Sequence, residues 1–180
     1  MKRNLLLIGW AVFVYGQEPK PSAEELEAME RLASQPSTRV VWQDAPVKVV
    51  AGKTEAVIAP VVLEDGSTPP LRMAGLRIDL ADGDRRDRVY LRESHLERVI
   101  EAFREIGRRA PASLEDRNGS ANRCLGSGYF WRQQGHSLTA SQCVFGDWSG
   151  LVVNGFRFAG VPAAAFGNSL DNARQKLPQP

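Results

Sequence analysis

Two cysteines, two histidines and a run of aromatic residues are the groups in this 180-residue chain whose chemistry reaches beyond packing. Cys124 and Cys143 are its only cysteines. The midpoint between them falls between Gln133 and Gln134, beside Gly135. A hairpin turning there brings the two thiols together across neighbouring strands. Closing a loop of about 20 residues by a disulfide stabilises a fold by roughly 3 kcal/mol on the chain-entropy account. A metal site is the competing reading. It calls for three or four clustered Cys, His or carboxylate ligands, and only His136 lies between the cysteines. A structural bridge is therefore the expectation, with no metal and no cofactor.

Catalysis needs a poised nucleophile, acid or base. His95, in Glu93-Ser94-His95, falls at the first turn of a strongly patterned helix and reads as a surface residue beside a capping serine. His136, in Gln134-Gly135-His136-Ser137, falls at the tip of the hairpin. Ser137 makes no dyad with it, because neighbouring strand residues point to opposite faces. Asp147, in Gly146-Asp147-Trp148-Ser149, is the acid to pair with either histidine if the chain is a hydrolase. Gly126-Ser127-Gly128 matches the nucleophile elbow in composition only. Phosphate-binding glycine loops, the H-E-x-x-H zinc motif and an EF-hand loop are all missing from the sequence. Asn118-Gly119-Ser120 fits the N-glycosylation pattern, although Asn-Gly is already a sufficient turn signal.

Aromatic residues crowd the C-terminal third: Tyr129-Phe130-Trp131, Phe145, Trp148, Phe156, Phe158 and Phe166. Exposed on a sheet face, Trp131, Trp148 and Tyr129 would form a binding surface, as in a carbohydrate-binding module. Filling the core around the disulfide is the plainer role.

The first sixteen residues, MKRNLLLIGWAVFVYG, carry Lys2 and Arg3, an apolar run from Leu5 to Tyr15, and a small residue at Gly16. That is the layout of a cleaved secretory signal peptide. A membrane-spanning helix needs about 20 apolar residues, so the run is too short for a stable span. Export makes the disulfide reading stronger. It also changes the charge. The chain has 23 basic and 21 acidic residues. Without Lys2 and Arg3 the balance is 21 against 21. A neutral mature chain argues against nucleic acid as partner. Arg85, Arg86, Arg88 and Arg92 are interleaved with Asp82, Asp84, Asp87 and Glu93. As a sequence, that run reads as a solvated surface of mixed sign.

The elements that position these residues follow from pattern. Ser22-Ala23-Glu24-Glu25 is a capping box opening a short helix to about residue 34. Strand patterns follow at 39–42, 47–50, 55–63 and 71–80, then at 89–91. Ser94-His95-Leu96-Glu97 is a second capping box. Leu96, Val99, Ile100, Phe103 and Ile106 then fall on one helical face. Gly107 weakens the last turn of that helix. Strands are expected at 123–132, 140–146 and 150–158. A closing helix follows, with Pro162 in its first turn, running to about Lys176.

The whole predicts an α+β fold. It has a mainly antiparallel sheet, a central amphipathic helix at about 94–108, and short N- and C-terminal helices. Residues 1–16 are the signal peptide and 17–180 one globular domain, flexible at 17–21 and 177–180. The expected role is an exported, periplasmic or extracellular, non-enzymatic domain that binds a protein or surface partner. A hydrolase using His136 or His95 with Asp147, and a carbohydrate-binding module using Trp131 or Trp148, are the alternatives.

Overall fold

A computed structural model describes residues 23–109, 123–131, 137–145 and 148–178. Helix α1 (Ala23–Ala33) leads into β1 (Arg39–Gln43), β2 (Val47–Ala51), β3 (Thr54–Glu64), β4 (Arg72–Asp82) and β5 (Arg85–Arg92). Helix α2 (Glu93–Arg109) follows β5 directly. The C-terminal part runs β6 (Arg123–Trp131), β7 (Ser137–Phe145), β8 (Trp148–Val153), β9 (Phe156–Ala159) and α3 (Ala163–Arg174). The fold is α+β, with every strand pairing antiparallel.

The strands make two sheets. In the first, β1 and β2 both pair with β3, which pairs with β4, and β4 with β5. In the second the order is β6-β7-β8-β9. Strand alternation explains the division of labour in the first sheet. Ala56, Ile58, Leu76, Ile78, Leu80, Val89 and Leu91 point inward and are buried. They share one core with α2, α3 and the inner face of the second sheet. The amphipathic stripe expected on α2 is its core face, with Leu96, Val99, Ile100, Phe103 and Ile106 all buried. Helix α2 starts at Glu93, so Ser94 lies inside the first turn rather than before it.

Helices α2 and α3 pack closely because glycine lines their contact. A Cβ built on Gly107 would lie 2.8 Å from the Ala164 backbone nitrogen, and one on Gly167 would lie 3.0 Å from Phe103 Cβ. Gly107 therefore serves the helix contact, a role invisible in its helix propensity. Arg104 donates to Asp171 at 2.8 Å across the same contact. Pro162 is the N-cap of α3, not a first-turn residue. Its extended backbone supplies no side-chain cap. Gln142 of β7 does so instead, accepting the Ala163 N–H at 2.8 Å.

The single strand expected at 150–158 is two strands folded back at Asn154-Gly155. Both residues have positive φ, 48° and 78°, the backbone that a two-residue hairpin requires. This turn also joins the sheets. Asn154 Oδ1 accepts the Thr139 N–H at 2.8 Å, and Asn154 Nδ2 donates to Asp87 at 3.0 Å. Arg85 donates to the carbonyls of Asn154 and Gly155. Its guanidinium lies 4.2 Å from the Phe156 ring centroid.

Glu64 closes β3 and is buried, 4% exposed. Its register partners are Arg39 on β1 and Arg72 on β4. Arg39 bonds it at 2.8 Å and Arg72 at 2.5 Å. These bonds, that from Arg39 foremost, hold the Glu64 carboxyl below the usual glutamate range despite its burial. A carboxyl depressed in the folded state stabilises above its unfolded pKa, about 4.3, and loses that contribution as pH falls through the folded value. Glu64→Gln should therefore flatten the acid limb of a plot of urea midpoint against pH below about 4.3. An acid limb identical to wild type would rule Glu64 out as its source.

Candidate functional site

The outer face of the first sheet is built from the alternate residues that the core does not use. Cross-strand register arranges them in rows. Lys48, Val57, Asp79 and Arg88 form one row; Val50, Glu55, Ala81 and Arg86 form the next. Ala59, Arg77 and Tyr90 form a third, and Val61, Gly75 and Arg92 a fourth. Helix α1 covers only one half of this face. Met29 and Leu32 bury themselves against Ala59, Val61 and Leu63, with Met73 and Tyr90 at the margin. No described helix lies over the half that carries the first two rows.

This open half is where the arginine-rich run finds its meaning. In sequence its charges are mixed. On β5, period-two alternation sorts them: Arg86 and Arg88 face outward with Tyr90 and Arg92, while Val89 and Leu91 enter the core. The acids go elsewhere. Asp87 accepts the Asn154 amide, Asp84 lies in the β4–β5 turn, and Glu93 begins α2. The open half thus holds Lys48, Arg86 and Arg88 against Glu55 and Asp79, with Arg77 in the adjoining row and Glu30 in the recess at its margin. Arg77 bonds Asp79 at 3.0 Å, and Arg88 bonds it on the other carboxylate oxygen. The Asp79 hydrogen bond raises the Arg88 pKa further. Lys48 pairs with Glu55 at 3.2 Å. Arg86 is exposed and donates to the Gly83 and Arg85 carbonyls. Val50 is 60% exposed, the most exposed of the large apolar residues described. Where α1 meets the sheet, Glu30, Ala33, Ser34, Arg88 and Tyr90 line an open recess.

Both edges of this sheet are guarded. On the β5 edge, the Tyr90 N–H goes to Glu30 at 3.4 Å and the Arg88 N–H to Asp87 at 2.9 Å. On the other edge, Asp44-Ala45-Pro46 separates β1 from β2, and β1 shifts register between Val40 and Trp42. Short strands, proline and bulges discourage the addition of a further strand. The face is thus the more open route to a partner.

The residues singled out from sequence are dispersed. Cys124 and Cys143 are direct register partners on β6 and β7. Cys143 is buried and disulfide-bonded, and no free cysteine occurs among the described residues. His95 lies half-buried in the first turn of α2. His136 and Asp147 fall outside the described residues, as do residues 1–22, which hold the expected signal peptide. Trp131 pairs with Ser137 and Trp148 with Phe145, the two ends of β7. Eight residues of strand separate those pairs, about 27 Å along the backbone. Tyr129 pairs with Thr139 near the Trp131 end. Trp148 is half-buried, with the Arg157 guanidinium 5.9 Å from its ring centroid.

Among the described residues, no group of three or more His, Cys, Asp or Glu side chains is placed to hold a metal ion. None of the described helices is long and apolar enough to cross a membrane. Neither a known protein family nor a curated protein matches this chain.

Proposed function

We infer that this chain is an exported, non-enzymatic domain that works by holding a protein partner on the outer face of its first sheet. The observation that carries the binding role is the asymmetric cover of that face. Helix α1 seals the half built from Ala59, Val61 and Leu63 and leaves the half with Val50, Arg86 and Arg88 open. Export is supported by the N-terminal segment and by the oxidised state of Cys143, opposite Cys124. A disulfide at this position persists in an oxidising compartment such as the periplasm or the exterior.

One experiment tests both halves of this reading. The full chain is produced in a secreting host with a photo-crosslinking residue in place of Val50, and separately in place of Asn172 on the exposed side of α3. The secreted product should begin at Gln17 and weigh two protons less than the dithiol form. Irradiation should give a discrete protein adduct from position 50 and none from position 172. Retention inside the cell with two free thiols overturns the export reading. Equal adducts from both positions, or none from position 50, overturn the binding reading.

A further inference from the structure

Helix α1 is itself an occupant of the outer face. We propose that it is a detachable strap, and that the apolar patch beneath it docks an amphipathic helix of the partner protein in its place. This deepens the partner-binding reading above and rests on it. The patch is built from Ala59, Val61 and Leu63 of β3, each 2% exposed or less, with Met73 and Tyr90 at its margin. It continues the open half of the same face, since the row of Ala59, Arg77 and Tyr90 adjoins the row of Lys48, Val57, Asp79 and Arg88.

Three features make α1 separable. Met29 and Leu32 are its fully buried side chains among those described, and they pack in a cluster distinct from the main core. Losing that cluster leaves the packing of α2, α3 and the inner sheet faces in place. The helix has 11 residues, short of the roughly 12–15 that an isolated helix needs to hold in water. It is therefore ordered by its docking and leaves as a unit. As the first element it stands outside every strand pair, so no strand must unpair to release it.

The seated helix also shows what the patch accepts. Met29 and Leu32 are three residues apart and so share one helical face. Gly75 forms the seat, because a Cβ there would lie 2.6 Å from Met29 Sδ. Beside Met29, Glu30 accepts the Tyr90 N–H at 3.4 Å and lines the recess with Arg88. The occupant is accordingly a helix with apolar side chains at i and i+3 and a carboxylate at i+1. Laying such anchors into an apolar groove is a recurring mode of protein recognition.

The tests use the secreted full-length product. Native-state hydrogen exchange should show α1 amides exchanging about a hundredfold or more faster than those of Ile58, Ile78 and Phe103. Leu32→Asp should abolish protection in α1 and leave the core amides protected. Asn172→Asp, the same added charge on α3, should change neither. The probe for the partner's helix is a synthetic peptide of residues 22–34, titrated to about 5 mM, the scale of a short tether's effective concentration. It should shift the amide resonances of Ala59, Gly75 and Tyr90 in the Leu32→Asp protein. In wild type, where α1 holds the patch, the shifts should be at least about tenfold smaller. The same peptide carrying Met29→Asp and Leu32→Asp should shift none. Circular dichroism melts confirm that each variant is folded.

Exchange of α1 at the rate of the core amides overturns the strap. A folded Leu32→Asp protein that ignores the peptide overturns the patch as a helix site. With the photo-crosslinking residue at position 50, Leu32→Asp should raise the yield of partner adduct about fivefold or more, because the competent state no longer waits on release of α1. Equal yields with and without Leu32→Asp place the partner beside α1 and overturn its replacement of the helix. No adduct from either protein overturns the partner-binding reading and the docking with it, a failure that the exchange and peptide measurements do not share.

Discussion

Phe166→Ala should lower the stability of the folded chain by about 3–5 kcal/mol. Phe166 is fully buried on α3. Its ring stacks on Phe103 of α2, with centroids 5.1 Å apart and planes 22° from parallel. It also meets Phe158 of β9 edge-on at 5.7 Å. Truncation removes apolar area and both ring contacts at the point where α2, α3 and the second sheet converge. Gly167, the next residue, is already held within 3.0 Å of Phe103 Cβ for an added methyl group. The helices therefore have little freedom to close the void, which places the cost toward the upper end of the range. The measurement is the urea midpoint at constant slope. A loss below about 1 kcal/mol would mean that the three elements do not share one packed centre.

Gly75→Ala should cost about 3 kcal/mol, a large effect for a single added methyl group. Gly75 is buried on the outer face of β4, in the row of Val61 and Arg92. A Cβ there would lie 2.1 Å from the Leu91 carbonyl oxygen on β5 and 2.6 Å from Met29 Sδ on α1. The first is ladder backbone, which moves only if the β4–β5 pairing yields. The second anchors α1, since Met29 is 0% exposed. Glycine at this point lets the helix sit down on the sheet. Hydrogen exchange should show protection falling in α1 before it falls in the core strands. A double change, Gly75→Ala with Met29→Ala, should cost less than the sum of the two single changes, because the shared contact is counted twice. Strict additivity would show that α1 is not held by this contact.

Much of the fold is legible in the chain. Period-two runs locate β1 to β4 to within a residue or two, and the threes-and-fours pattern locates α2, because both periods reflect which face each element buries. The cysteine spacing predicts the Cys124–Cys143 register, since a hairpin pairs residues symmetric about its turn. Other features depended on contacts between distant residues. The two-sheet arrangement is one, and the break at Asn154-Gly155 is another. That Asn-Gly pair sits inside a continuous apolar run, so periodicity joined β8 to β9, although the dipeptide is itself a strong turn signal. Gly107 looked like a weak last turn and is a contact glycine, because propensity describes a helix alone and not the helix beside it. The α3 cap comes from Gln142, 21 residues upstream, and no local capping pattern records it.

By itself the sequence determined the class of fold, the face that α2 buries and the pairing of the cysteines, all of which follow from local periodicity and chain symmetry. It left the charged run from Asp82 to Glu93 as a mixed surface. Only the tertiary structure decided which of those charges share a face. The sorting needs the turn at Asp84, the sink that Asn154 provides for Asp87, and a helix that covers half of a sheet and stops. Those are contacts across 60 to 70 residues of chain, and they turn an evenly mixed stretch of sequence into an uneven surface.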